Sequence, residues 1–191
     1  MRPPPAWPSH CAMLECGVSR GDFMNLARLL RPELIKLEME TQNPPQEEPP
    51  LPRERYIWRV KEEALLELAQ LVEAGGRTGS VGKLHTDLLS REKKASTGLV
   101  RGIAVPHVRT IHAKELLFAF ARSSRGLEFD CLDGQPAHLF FVIVAPPYDD
   151  AQYLKIYKQM AVAFQTTDVR EAFLKAKDEG EVIRAMRLMG D

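Results

Sequence analysis

Arg91-Glu-Lys-Lys-Ala-Ser-Thr-Gly-Leu-Val-Arg-Gly-Ile-Ala-Val-Pro-His107-Val-Arg109 is the stretch around which the chain is organised. It opens on a loop of small and hydroxyl-bearing residues, Ser96-Thr97-Gly98, and passes through Gly102 into the apolar run Ile103-Ala104-Val105. Pro106 then fixes the backbone directly before His107, removes a backbone donor and pushes Val105 toward an extended conformation. The run is therefore expected to end as a strand and to deliver one imidazole, aimed outward, at its tip.

Upstream, Val60 to Ala74 places Val60, Ala64, Leu65, Leu68, Leu71 and Val72 on one face of an amphipathic helix that stops at Gly75-Gly76. Ser80 is the expected cap of a second helix, with Val81, Leu84 and Leu88 inward, whose end carries the chain to Arg91. Asn25 is the expected cap of a short helix through Leu30. Leu34-Ile-Lys-Leu-Glu-Met39 alternates as a half-buried strand does. Thr41 to Arg55 contains Pro44, Pro45, Pro49, Pro50 and Pro52 beside Glu47 and Glu48, and reads as a solvated proline-rich insertion. Residues 1–23 carry Pro3-Pro4-Pro5 and Trp7-Pro8 without a periodic apolar face, which predicts a disordered extension lacking a secretory signal, with one domain over 24–191. Met24 is then an alternative start.

Downstream, Glu115 to Ala121 reads as a strand, Asp133-Gly134 as a turn, and Ala137 to Ala145 as a strand buried on both faces and stopped by Pro146-Pro147. Asp149 or Asp150 is expected to cap a helix with Leu154, Tyr157, Met160, Ala161 and Phe164 inward. Thr167 or Asp168 caps the next, with Val169, Ala172 and Phe173 inward, and Val182 to Met189 closes the chain as a helix. Helices flank strands throughout, so the fold class is α/β with a layered sheet.

The 191 residues, 45% of them hydrophobic, suit one packed domain. Lys and Arg number 26 against 26 Asp and Glu, so no global basic field exists for nucleic acid or acidic membranes. The longest apolar run, Ala137 to Pro147, is far short of the roughly 20 residues of a spanning helix, and no membrane insertion is expected. Cys11, Cys16 and Cys131 lack zinc spacing and read as reduced thiols of a cytoplasmic protein. No His, Cys, Asp and Glu grouping has a metal pattern, and Gly75-Gly76 lacks a P-loop lysine, so neither metal nor cofactor is expected. His10, His85, His112 and His138 default to structural or solvated roles.

Arg91-Glu92, Ser96-Thr97-Gly98 and Gly102-Ile103-Ala104-Val105-Pro106-His107 together resemble the signature of the phosphotransferase-system (PTS) IIA domains of the fructose, mannitol and nitrogen-regulatory type. The sixteen-residue separation of Arg91 from His107 matches without a gap. The resemblance implies a three-layer sandwich, a mixed sheet of about five strands with helices on both faces. It implies that His107 accepts a phosphoryl group from an HPr- or NPr-like phosphocarrier and that Arg91 stabilises the phosphate. Ser96 and Thr97 are candidate hydroxyl donors and Gly98 a candidate backbone donor to that group. Two positions depart from the family. Tyr153 stands where many members carry a second active-site histidine, and Arg101 where asparagine is usual; either is a candidate support residue.

Two function classes follow. One is a phosphoryl carrier, expected in the nitrogen-regulatory branch because no B or C domain is fused to the chain, with a sugar-specific component as the alternative and a IIB domain as onward acceptor. The other is a binding module with impaired transfer that acts on a target such as a kinase or ion transporter, a reading that Tyr153 keeps open. Only the first is an enzyme component, through a phosphohistidine intermediate.

Overall fold

The computed structural model describes residues 24–45, 49–148, 150–164 and 167–189; the expected extension at 1–23 and the cap at Asp149 lie outside them. A short 3-10 helix at Leu26–Arg28 leads into β1 (Leu30–Lys36). Then come α1 (Arg53–Ala74), α2 (Val81–Glu92), β2 (Ile103–Ala104), β3 (His107–Arg109), β4 (Leu117–Leu127) and β5 (Ala137–Ala145). Three helices finish the chain: α3 (Asp150–Ala163), α4 (Thr167–Lys175) and α5 (Glu179–Arg187).

The strands form one mixed sheet in the order β1-β4-β5-β2, with β3 also paired to β5. β5 is antiparallel to β4 and parallel to β2 and β3, while β1 is parallel to β4. Because successive strand side chains point to opposite faces, β5 feeds two cores at once. Phe140, Val142 and Val144 join Val60, Leu65 and Leu68 of α1 and Leu84 and Leu88 of α2. Leu139, Phe141 and Ile143 join Ile156 and Met160 of α3, Phe173 of α4 and Val182 and Met186 of α5. Phe141 anchors the second core, its ring 4.7 Å from that of Phe164 and 5.1 Å from that of Phe173. The three-layer α/β sandwich is thus the one expected.

Several elements differ in extent. β1 occupies Leu30–Lys36 rather than starting at Leu34, and Asn25 makes no side-chain cap because only a three-residue 3-10 turn follows it. α1 begins at Arg53, inside the stretch expected to be loop: Pro52 occupies its N-cap, the Tyr56 amide donates to the Pro52 carbonyl, and buried Ile57 extends the apolar face by a turn. Ser80 holds the cap position of α2 without a side-chain hydrogen bond. β4 runs to Leu127 rather than Ala121. Leu154 is 53% exposed, not inward; the inner set is Tyr153, Ile156, Tyr157 and Met160, one residue out of phase with Leu154. The cap of α5 is Asp178, whose side chain accepts from the Glu181 amide. Cys131 is buried and free, and burial pushes its thiol up to about 12.

Two buried carboxylates tie the first layer together. Glu92, at the end of α2, meets Lys61 of α1 with Nζ to Oε1 at 2.7 Å, both side chains almost fully buried. Glu67 of α1 accepts from Lys36 Nζ at 2.7 Å and from the Glu40 and Thr41 amides at 2.7 and 2.9 Å, fastening β1 and the following loop to the helix. Burial drives the Glu67 carboxyl upward, but these hydrogen bonds prevail and hold it below the usual carboxylate range.

Replacing Glu92 by Ala should lower stability by about 3–5 kcal/mol in urea denaturation, because it strands a buried ammonium. Combining Lys61→Met with Glu92→Gln should recover part of that loss. Glu67 contributes stability that is present above its unfolded value of about 4.3 and lost as pH falls through its depressed folded value. Glu67→Gln should remove that portion of the acid-induced loss, measured as urea midpoints at successive pH values.

Candidate active site

His107 is not at the tip of the first strand. β2 ends at Ala104, the chain breaks at Val105-Pro106, and His107 begins β3, opposite Ile143 of β5. Proline cannot donate to the ladder, yet its carbonyl still accepts from the Ile143 amide at 3.0 Å, so the interruption is local and is tolerated on an edge strand. The break lets the imidazole fold back: Nδ1 lies 2.7 Å from the Val105 carbonyl, and Arg91 Nε donates to Nε2 at 3.1 Å. Both contacts are satisfied at once by the tautomer with hydrogen on Nδ1 and a lone pair on Nε2.

His107 is 7% exposed and borders the second core through two tyrosines that pack against it. Tyr157 meets it edge-on at 5.3 Å and Tyr153 meets it tilted at 5.8 Å. Burial lowers the affinity of His107 for a second proton, and the Arg91 guanidinium adds to that, while the Val105 carbonyl and Glu92 oppose it; the net direction is down. At neutral pH the imidazole is therefore neutral and nucleophilic at Nε2.

Arg91 arrives from the last turn of α2, where its Nη1 donates to the Ala95 carbonyl at 3.0 Å. Its neighbour Glu92 accepts the Thr97 amide on both carboxylate oxygens at 3.1 Å and also the Thr97 hydroxyl. Residues 97–99 run antiparallel beside β2, with the Val105 amide donating to the Thr97 carbonyl at 2.9 Å. Lys61, Glu92, Thr97 and β2 thus fix the helix end that carries Arg91 relative to the strand that carries His107.

The other sequence-derived candidates divide. Ser96 Oγ donates to the Asp130 carbonyl at 2.8 Å and accepts from Lys61 Nζ at 3.0 Å, so both hydroxyls of the Ser96-Thr97 pair are engaged in the buried network. Gly98 is needed for close packing, since a Cβ there would lie 2.9 Å from the Cys131 Cα. Arg101 is carried elsewhere. It sits at φ 61° before β2, its amide on Asp133 Oδ2 at 2.6 Å and its Nη1 on the Phe164 carbonyl at 3.3 Å, at the opposite end of the β2–β3 edge from His107. Tyr153 does reach His107. Two residues missed from sequence also gather there, Tyr157 and Arg109, whose guanidinium carbon lies 6.0 Å above the Tyr153 ring. Their signals were available, four residues after Tyr153 on a helix and two after His107 on a strand.

Exposed apolar side chains border this end of the sheet. Ile111 and Tyr148, each 81% exposed, follow the neighbouring parallel strands β3 and β5, and Leu154 follows Tyr153. Among the described residues, no helix is long and apolar enough to cross a membrane.

Residues 56–188 match the family described as "Phosphoenolpyruvate-dependent sugar phosphotransferase system, EIIA 2". The chain is 35% identical to the PTS system fructose-specific EIIA component of Haloferax volcanii over 84% of this chain and 94% of that protein. It is 31% identical to a nitrogen regulatory protein of Pseudomonas aeruginosa over 61% of this chain and 75% of that one. A fructose-specific EIIABC component of Bacillus subtilis is 28% identical over 84% of this chain, which spans only 22% of its length. The fold resembles the crystal structure of nitrogen regulatory protein IIA-Ntr from Neisseria meningitidis, with a TM-score of 0.72 and 26% identity over 85% of this chain and 99% of that one. The chain belongs to the EIIA type 2 family of the phosphoenolpyruvate-dependent sugar phosphotransferase system.

Proposed function

We propose that the chain is a phosphoryl carrier in which His107 Nε2 takes a phosphoryl group from an HPr- or NPr-like phosphocarrier and passes it on. The observation that carries the reading is the pairing of a neutral, buried imidazole with the Arg91 guanidinium at 3.1 Å. In the transfer, the Nε2 lone pair forms the new bond to phosphorus and the carrier's phosphorus–nitrogen bond breaks, its electron pair returning to the carrier's ring. The proton on Nδ1 stays on its hydrogen bond to Val105, so no general base is required. Phosphoryl transfer depends mainly on positioning and charge, and Arg91 need shift only from Nε2 to a phosphoryl oxygen to serve both states. Ile111, Tyr148 and Leu154 supply an apolar rim of the kind a transient partner uses.

Within this chemistry the nitrogen-regulatory branch is our reading, supported by the likeness in fold to the Neisseria protein. The Haloferax relative favours a sugar-specific role, with a IIB domain as onward acceptor. A transfer assay from the phosphorylated chain to a fructose-type IIB domain separates them: no transfer is expected in the regulatory branch, and rapid transfer would place the chain in the sugar branch.

Incubation with phosphoenolpyruvate, the general first-step kinase and its carrier should give an acid-labile, base-stable phosphate that His107→Ala abolishes. Absence of label on the folded wild-type chain would leave a binding module. Arg91→Gln should slow labelling by about 10²–10³-fold. Because burial lowers the His107 pKa, the rate of phosphoryl acceptance should stay level down to about pH 6.5 and fall only below it. An acid limb centred at or above that value would contradict the buried, neutral nucleophile.

A further inference from the structure

One arginine is a poor match for the charge that the proposed chemistry would bring to Nε2. A phosphoryl group carries about two negative charges, and the ring beneath it is nine-tenths removed from water, so an unbalanced charge there is costly. A second cation lies on the same face. His107 and Arg109 are separated by a single residue of β3, so their side chains leave the strand on one side while Val108 between them enters the α1–α2 core. Tyr153 touches both, its ring 5.8 Å from the His107 ring and 6.0 Å below the Arg109 guanidinium carbon. Burial keeps the Tyr153 phenol protonated, against the positive charges of Arg91 and Arg109 nearby.

We infer that Arg109 is the second guanidinium of the phosphorylated site, contacting phosphoryl oxygens on His107, and that Tyr153 is the positioning residue whose ring holds it there. This rests on the reading of His107 as the phosphoryl acceptor. A tyrosine cannot supply positive charge itself, but its ring face can hold a planar cation in place. Arg109 is exposed, so its guanidinium over the Tyr153 ring is open to the solvent side from which a phosphoryl group arrives.

The test is a phosphorus NMR titration of the full phosphorylated chain, with the equilibrium of transfer against the carrier measured alongside. In Arg109→Gln the phosphoryl group should take up its proton at higher pH than in wild type. The equilibrium should move toward the carrier by about tenfold, the change expected on losing one charge-assisted contact. Tyr153→Leu should shift both in the same direction, and Tyr153→Phe should move them back toward the wild-type values, because the ring rather than the hydroxyl holds the guanidinium. If wild type takes no label on His107, both the inference and the reading beneath it fall. If wild type is labelled and Arg109→Gln titrates identically, only the role of Arg109 falls, and a change confined to carrier affinity overturns it in the same way.

Discussion

The buried ion pair between Lys61 and Glu92 is the constraint on which the rest of the site depends. Neither side chain is accessible to water, so each charge needs the other close by, with Asp130 at 3.6 Å from Lys61 and with Ser96 and Thr97 taking up remaining donors and acceptors. The pair joins the middle of α1 to the last turn of α2 and to the loop that runs beside β2. Arg91 precedes Glu92 by one residue, so fixing the carboxylate also fixes where the guanidinium starts. An ion pair of this kind adds little net stability compared with a well-packed apolar pair, yet it admits few alternative arrangements.

Against that fixed frame the broken edge strand places the histidine. An unbroken strand would send the imidazole straight off one face of the sheet. Pro106 removes a donor, interrupts the ladder, and lets the ring turn back onto the Val105 carbonyl. His107 consequently lies at the seam between the two helical layers: Arg91 approaches from α2, which covers one face, and Tyr153 and Tyr157 approach from α3, which covers the other. The seam explains how one ring is shielded enough to stay neutral while still meeting a guanidinium from one layer and two tyrosines from the other. Ile111 and Tyr148 share this end because the loops that follow parallel strands emerge at the same end of the sheet.

The architecture was largely legible because hydrophobic periodicity reports burial directly. Ala137 to Ala145 reads as a two-sided strand, and it is one; Val60 to Val72 reads as an inward face, and it is one. The errors fall where local chemistry and packing compete. Arg53 begins a helix although prolines crowd the residues before it, because Pro52 takes the extended conformation of an N-cap and Ile57 gains a buried place. Leu154 reads as inward on hydrophobicity alone, but α3 is turned so that two tyrosines face the histidine instead. Arg101 lies in the decisive stretch, yet the positive φ before Gly102 directs it to the far end of the sheet.

By itself the sequence determined the layered α/β class and the main helices and strands, because periodicity is a local property of the chain, while the pairing of His107 with Arg91 was implied by the resemblance that their motif carries. Only the tertiary structure decided that the ring is buried rather than outward, that Ser96 and Thr97 serve the Lys61–Glu92 network, and that Arg109 and Tyr157 join the site. Those outcomes depend on which way a helix is rotated and how an edge strand breaks, and both are set by contacts between residues far apart in the chain.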